Sequence, residues 1–256
     1  MPSDAEIVNE GLRLVKLAQE NGVVIRMMGA TAVCIHSPRY WGALFTRNLT
    51  DLDFLALLTQ WEEVERLLRD NGCESKLQDF GTTSRTRRIF FYPRLNTTVD
   101  IFFDALSMCH KIDFRARLQV DSPTISIADL LLEKLQIVHI NEKDVKDSIV
   151  LLRDHDIGEG DEETVNAGYI SGLLSDDWGF YYTATTNLRK IRDVLLPTYS
   201  LGHGDIGDVQ RKIDALLDQI EKRPKTARWK LRSKIGTRKK WYEDVGEVYQ
   251  AAEARA

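Results

Sequence analysis

An apolar run that opens with two carboxylates places the strongest constraint on this chain. In "RNLTDLDFLALL" (residues 47–58), Asp51 and Asp53 stand two residues apart, and the segment from Phe54 to Leu58 has the short apolar pattern of a buried β-strand. In a strand, side chains two residues apart share one face, about 6.5–7 Å apart. Like charges at that separation repel each other unless a cation such as Mg²⁺ lies between them. The alternative is that both aspartates lie at a solvated strand end and cap a turn.

The composition is that of an ordinary globular protein. The chain has 256 residues, of which 43% are hydrophobic and 29% charged, enough for one large or two small domains. Its net charge of −4 argues against nucleic-acid binding by the whole surface. The N-terminus is acidic and polar, unlike a signal peptide, and no apolar run has transmembrane length, so we expect no membrane partner; the cysteine usage predicts a reducing, cytoplasmic location. Cys34, Cys73 and Cys109 are far apart and odd in number, which predicts buried thiols rather than disulfides.

The first 125 residues mix helical and strand patterns. Capping boxes at Ser3–Glu6 and Thr59–Glu62 each predict the start of a helix, the second ending near Gly72. Short strands are predicted at 23–28, in the run of the two aspartates, and at 73–80, 86–92 and 97–103, with a short helix after Gly29. The closely spaced last three strands favour antiparallel pairing, so this half predicts a mixed α/β domain.

After Pro123 the pattern becomes helical. Residues 126–140, capped by Ser126, and residues 142–156 have helical spacing, and no strand pattern is convincing beyond about residue 127. We therefore predict an α+β protein, with a mixed-sheet domain at residues 1–125 and an all-helical domain at residues 126–256.

A third carboxylate stands in another predicted strand. "TTVDIFFD" contains Asp100 in a strand-like setting and Asp104 four residues later; we expect the strand to end near Phe103 and leave Asp104 in a turn. If this strand lies next to the strand that begins with the two aspartates, the three carboxylates converge. Two metal ions bound there can hold the attacking and the leaving oxygen of an in-line displacement at phosphorus. Upstream, Gly29 separates a strand from a helix, so it either lets a phosphate approach the backbone or forms a plain turn.

Together these motifs resemble a known superfamily. The segments "MMGATAVCIHS", "RNLTDLDFLAL" and "VDIFF" resemble nucleotidyltransferases with the DNA polymerase β-type fold, and the further segments "DLLLEKLQ" and "KDVKD" are similar to the AbiEii-like group, which includes toxins of toxin–antitoxin pairs. The resemblance covers roughly residues 23–156. It implies that Asp51, Asp53 and Asp100 are catalytic and bind Mg²⁺ or Mn²⁺, and that an NTP is the substrate.

The resemblance also suggests which residues bind the nucleotide. It implies that Gly29 and Ala30 contact the phosphates through their backbone and that Lys134 reaches them with its ammonium group. Arg47 either clamps a phosphate or pairs with Asp51. Lys134 has its own alternative, a lysine that extends to solvent from an apolar helix. Where the superfamily has Gly-Ser or Gly-Gly, this chain has Gly29–Ala30, so no hydroxyl is available there.

The segment from Lys222 to Tyr242 concentrates positive charge. It holds ten Lys or Arg residues with tryptophan and tyrosine between them. Basic grooves with aromatic side chains commonly hold single-stranded nucleic acid, whereas a solvated basic helix packed by its tryptophans is the alternative. The candidate nucleic-acid-binding residues are Arg228, Trp229, Lys230, Arg232 and Lys234.

These patterns favour an enzyme that transfers a nucleoside monophosphate from an NTP to an acceptor hydroxyl. The acceptor is either RNA, including tRNA, or a small molecule, and the resemblance adds an antitoxin-type protein as a partner. The alternative is a catalytically weak protein of the same fold that binds a nucleotide, a nucleic acid or a partner protein.

Overall fold

A five-stranded mixed sheet organises the first half of the molecule. The computed structural model describes residues 2–45, 48–75 and 86–244. The strands are β1 (Ile25–Met28), β2 (Asp51–Ala56), β3 (Glu74–Ser75), β4 (Arg87–Tyr92) and β5 (Thr97–Phe103), in the spatial order β1-β2-β5-β4-β3. Strands β2 and β5 are parallel neighbours, and the other pairs are antiparallel. The predicted mixed sheet is therefore confirmed.

Three helices accompany this sheet: α1 (Asp4–Glu20), α2 (Gly29–His36) and α3 (Trp61–Asp70). The capping box at Ser3 and Glu6 is present as predicted. The predicted capping box at Thr59–Glu62 is wrong, because a 3₁₀ turn (Leu58–Gln60) precedes α3 and its N-cap, Gln60, makes no side-chain cap. The strand predicted at 73–80 is seen only at its start, since residues 76–80 lie outside the described residues.

A short hairpin and a mainly helical half follow. The hairpin, β6 (Ala105–Ser107) and β7 (Lys111–Asp113), was not predicted. The helices are α4 (Ile127–Leu135), α5 (Glu142–Asp154), α6 (Ala167–Leu174), α7 (Trp178–Lys190), α8 (His203–Lys222) and α9 (Ala227–Ser233). Between α5 and α6, β8 (Asp156–Gly158) pairs in parallel with β9 (Thr164–Asn166), so the prediction of no strand after residue 127 is wrong at this point. These strands have three residues each, too few to show a periodic pattern.

Helix α4 connects the two halves through the core. Ser126 caps it as predicted, and all nine of its residues are buried. Apolar residues of both halves form one hydrophobic cluster, and β1 joins the connecting segment where the Met27 N–H donates to the Pro123 carbonyl at 3.0 Å. The division at residues 125 and 126 stays a prediction. Within the described residues, no helix combines the length and apolar character needed to cross a membrane.

Candidate active site

The three predicted catalytic carboxylates lie on neighbouring strands. Asp51 and Asp53 both belong to β2, which begins earlier than the apolar run suggested, and Asp53 is the register partner of Asp100 on β5. Side chains two residues apart share a face of the sheet, and register partners on parallel strands do the same. Asp51 and Asp53 are half-buried and Asp100 is 7% exposed. The structure thus places these residues on one face of the sheet, with Asp51 as the first residue of β2.

The Asp53 carboxylate lies among several other negative charges. Burial raises the pKa of its carboxyl well above the usual range, and the charges of Asp51, Asp100 and Glu133 raise it further, against a smaller lowering by Lys134. Among the residues that the structure describes, no lysine or arginine forms an ion pair with Asp53. A bound cation would stabilise the ionised form of a carboxylate in such surroundings.

Asp100 is bound by an arginine that the sequence analysis did not single out. The Arg87 Nε donates to both carboxylate oxygens of Asp100, at 2.9 and 3.0 Å, and a terminal guanidinium nitrogen forms an ion pair with Oδ2. Burial raises the pKa of Asp100 despite this pairing. Arg87 stands on β4, opposite Phe102 of β5, so only the strand pairing, which residue spacing does not give, brings it to Asp100.

The turn between β1 and α2 requires glycine. Gly29 has φ = +67°, and a Cβ at this position would lie 2.5 Å from Asp53 Oδ2. Any larger residue would be strained and would displace the Asp53 carboxylate. The backbone at Gly29 therefore lies directly beside one of the predicted metal ligands, and its predicted contact with a phosphate stays a prediction.

Two adjacent charged residues of α4 lie beside this turn. The Gly29 N–H donates to Glu133 Oε2 at 3.1 Å, and the other carboxylate oxygen of Glu133 accepts from Lys134 Nζ at 2.7 Å. Asp147 on α5 lies 3.5 Å from the same ammonium group. Burial alone would lower the pKa of Lys134, but Glu133 and Asp147 outweigh it and raise it, so the side chain stays charged. Lys134 is 5% exposed and thus does not extend to solvent.

Two further residues were predicted to bind the nucleotide, Ala30 and Arg47. Ala30 is half-buried and follows Gly29 in the first turn of α2. Arg47 lies outside the described residues, so its predicted role stays a prediction. Glu133 was missed by the sequence analysis, although a carboxylate within the apolar run "DLLLEKL" is a visible signal for a buried polar contact.

A divalent cation fits the chemistry of the carboxylates. In the described part of the chain, no three metal-ligating side chains lie close enough to hold an ion as they stand. The oxygen donors are nevertheless of the type that Mg²⁺ prefers, they share a face of the sheet, and Asp53 lacks an ion-pair partner among the described residues. Asp51 and Asp53 would hold such an ion, with Asp100 beside them on β5.

Asp104 is separated from these carboxylates as expected. Strand β5 ends at Phe103, and Asp104 adopts φ = +62° in the following turn. Its Oδ1 accepts the Leu58 N–H at 3.0 Å, so the side chain holds the turn that follows β2. The prediction that the strand ends before Asp104 is confirmed.

The basic segment at 222–242 uses part of its charge and most of its aromatic surface internally. The Trp229 ring packs edge-to-face on Tyr181, with centroids 5.1 Å apart. Arg232 donates to the carbonyls of Gly236 and Lys239, at 2.7 and 2.8 Å. By contrast, the side chains of three other candidates are exposed: Arg228, Lys230 and Lys234. Nucleic-acid binding by this segment stays a prediction.

Comparisons with known proteins found similarity at the level of structure. No protein-family model matches the chain, and no curated protein matches its sequence. The lincosamide antibiotic adenylyltransferase LnuA, in its lincomycin-bound crystal structure, has a TM-score of 0.40 and 15% identity, over 54% of this chain and 92% of LnuA. The antibiotic-resistance factor ANT(2'')-Ia has a TM-score of 0.42 and 12% identity, over 67% of this chain and 95% of its own.

A third solved structure covers more of the molecule. An antigenic nucleotidyltransferase-like protein from Paracoccidioides brasiliensis has a TM-score of 0.41 and 12% identity, over 88% of this chain and 96% of its own. These three similar structures are nucleotidyltransferases or nucleotidyltransferase-like proteins.

Proposed function

We propose that this protein is a metal-dependent nucleotidyltransferase, which transfers a nucleoside monophosphate from an NTP to an acceptor hydroxyl and releases pyrophosphate. The observation that carries the proposal is the set of three carboxylates, Asp51, Asp53 and Asp100, on one face of β2 and β5 beside the Gly29 turn. Asp51 and Asp53 would hold Mg²⁺ or Mn²⁺, which neutralises the charge of the triphosphate when it is bound.

The chain's own residues account for the other requirements of the reaction. The Gly29 turn allows phosphate oxygens to approach the backbone, and the charged Lys134 supplies a cation beside it. Asp100 is the candidate general base for the acceptor hydroxyl, and its raised pKa favours proton uptake. Arg87, which binds Asp100, would orient this carboxylate until the acceptor arrives.

Two more specific assignments belong to the same proposal. The first is the acceptor, which is RNA, including tRNA, or a small molecule. The second is the family: in its most specific form, the proposal is that the protein is an AbiEii-like toxin with an antitoxin-type partner. A cytoplasmic location agrees with three free cysteines, of which Cys73 and Cys109 are buried. Burial raises the pKa of the Cys73 thiol to about 11, which suits an unreactive core residue.

A binding protein without turnover is the second candidate. It is favoured by Ala30, which offers no hydroxyl to a phosphate, and by Glu133, which already accepts the Gly29 N–H. Such a protein would bind an Mg²⁺–NTP complex and release no pyrophosphate. Calorimetric titration followed by a pyrophosphate assay therefore separates the two candidates.

Label transfer is the direct test of the enzyme. The protein is incubated with Mg²⁺, each α-³²P-labelled NTP in turn, and either total cellular RNA or a panel of hydroxylated small molecules. We expect label in one acceptor class with one or more NTPs, and a loss of at least about 1000-fold in Asp53→Asn, which removes several kcal/mol of charge stabilisation. Asp104→Asn is the matched control and should keep near-wild-type transfer. Equal transfer by Asp53→Asn and wild type would contradict the proposal.

A further inference from the structure

The backbone amide that a nucleotide phosphate would use is already bonded to a carboxylate of the chain itself. The Gly29 N–H donates to Glu133 Oε2 at 3.1 Å, and Gly29 is the first residue of α2. A helix N-terminus attracts negative charge, so Glu133 occupies a position that is electrostatically favourable to any anion. Met28, the N-cap of α2, makes no side-chain cap, and Glu133 supplies this function from α4.

Glu133 lies in a crowded group of carboxylates. It is 8% exposed, and its charge contributes to the repulsion felt by Asp53, whose carboxylate would lie 2.5 Å from a Cβ on Gly29. A structural cap needs no such proximity to a second carboxylate. The like charge of Asp53 opposes the Glu133 contact, while the Lys134 ammonium group stabilises it.

We propose that Glu133 is a built-in substitute for a nucleotide phosphate, which occupies the anion position at Gly29 in the nucleotide-free chain and must leave before a phosphate can bind. The inference rests on the proposed function, since it assumes that a phosphate binds at Gly29. Glu133 is thereby a positioning residue that sets the affinity for the nucleotide.

Displacement of Glu133 also changes the surroundings of Lys134. In the structure the Lys134 ammonium group is paired with Glu133 at 2.7 Å and lies 3.5 Å from Asp147. When a phosphate replaces the Glu133 carboxylate at Gly29, the ammonium group exchanges one anionic partner for another and stays neutralised. The buried ammonium group thus keeps an anionic partner, whose loss would be costly.

Anion affinity tests this proposal without turnover. Binding of inorganic pyrophosphate, and of a non-hydrolysable ATP analogue with Mg²⁺, is measured by calorimetry for wild type and Glu133→Gln. Glutamine keeps the shape and an acceptor for the Gly29 N–H but loses the charge, so a phosphate competes with a weaker hydrogen bond. We expect both ligands to bind roughly tenfold more tightly to Glu133→Gln.

Asp147→Asn is the matched control. It removes one negative charge from beside Lys134, as Glu133→Gln does, and leaves the bond between Glu133 and Gly29 in place. A general effect of charge near the phosphates would tighten binding in both variants equally and would overturn the proposal. Unchanged or weaker binding in Glu133→Gln would also overturn it, because Glu133 would then be a structural cap or part of the nucleotide site.

A second measurement keeps the proposal testable if a variant fails to fold. In the wild-type protein, the ¹H–¹⁵N resonance of Gly29 should shift when pyrophosphate is added, since the amide changes its acceptor. An unmoved Gly29 resonance at saturating pyrophosphate would overturn the proposal while leaving the proposed function intact. If neither the wild type nor any folded variant binds pyrophosphate or the nucleotide analogue, the proposed function fails together with it.

Discussion

Helix α4 carries a buried charged group at each end, and the two groups are built differently. At its start, Asp129 is fully buried and accepts from Arg117 Nε at 3.0 Å. The same guanidinium group donates to Asp161 at 2.7 Å and to Ser126 at 2.9 Å, and lies 3.8 Å from the centre of the Tyr169 ring. Here each carboxylate has a cation in direct contact.

At the other end of α4, the carboxylates are arranged differently. Glu133 and Asp147 share Lys134, Asp100 has Arg87, and Asp53 pairs with no lysine or arginine in the described part of the chain. A folded protein gains nothing in stability from a half-buried, unpaired carboxylate, so its presence needs another cause. We infer from this comparison that the first group stabilises the fold, whereas the second group suits the proposed cation site.

The largest effect on stability should follow from removing Arg117, the cation of the group at the start of α4. Arg117→Met removes the cation and leaves Asp129 buried without its partner, which we expect to lower the free energy of unfolding by about 3–5 kcal/mol. Urea denaturation measures this change. Arg115→Met is the matched control, because Arg115 pairs with Asp113 at the surface and should shift stability by less than about 0.5 kcal/mol. Equal losses in the two variants would remove the distinction between the groups.

The opposite sign is expected at Asp53. Its pKa is raised in the folded protein, so the ionised carboxylate destabilises the fold, and Asp53→Asn should raise the free energy of unfolding by about 1 kcal/mol or more at neutral pH with a chelator present. The gain should shrink as the pH falls through the raised pKa toward about 4, the value in the unfolded chain, because wild-type Asp53 is then protonated in both states.

Denaturation at a series of pH values, with Asp113→Asn as control, measures this gain. The pKa of Asp113 is lowered by its bond to Arg115, so that variant should show no gain. Destabilisation by Asp53→Asn across the whole range would mean that the carboxylate is paired after all.

A smaller effect on stability is expected at Asp104, where replacement should affect transfer less than replacement of Asp100. Asp104→Ala removes the acceptor of the Leu58 N–H and should cost about 1 kcal/mol of stability, while nucleotidyl transfer is only weakened. Asp100→Ala should abolish transfer. Asp104→Asn keeps an acceptor and tolerates the positive φ, so it should recover most of the stability. Transfer assays and thermal unfolding of the three variants check this ranking, and the reverse ranking for activity would refute the assignment of Asp100.

The smallest effect concerns the basic segment, where the exposed cations are the ones that can meet RNA. Replacing Arg228, Lys230 and Lys234 with glutamine should flatten the salt dependence of single-stranded RNA binding, reducing the log–log slope by about 0.7 for each RNA phosphate that is no longer neutralised. Lys16→Gln, on the exposed side of α1, is the control. Fluorescence anisotropy at several salt concentrations measures the slope. An unchanged slope and affinity would favour a small-molecule acceptor.

The sequence predicted the parts of the site that depend on local pattern. The β-runs of β2 and β5, the turn at Gly29 and the cap at Ser126 follow from spacing and residue type, and all are present. Arg87 and Glu133 were missed because they reach the site through the pairing of β4 with β5 and the packing of α4 on α2. Such contacts depend on tertiary arrangement, which periodicity does not encode.

The short strands and the basic segment illustrate the same limit. Strands of two or three residues, such as β6 and β8, form because neighbouring backbone is available, so their sequences carry no alternation to detect. In the basic segment, composition suggested aromatic stacking on bases, whereas Trp229 packs on Tyr181. Composition shows which side chains are present, but it does not show which of their surfaces pack against other residues of the fold.

The central claim is that Asp53, which forms no ion pair among the described residues, belongs to a cation site, and a thermal titration tests this claim most directly. Wild-type protein and Asp53→Asn are unfolded by heat at increasing MgCl₂, with and without a non-hydrolysable NTP analogue, and the midpoint is recorded. A ligand that binds only the folded state raises the midpoint with concentration. We predict that the wild type starts below Asp53→Asn and gains stability as Mg²⁺ and the analogue are added, while Asp53→Asn gains little. Parallel curves for the two proteins would contradict the account.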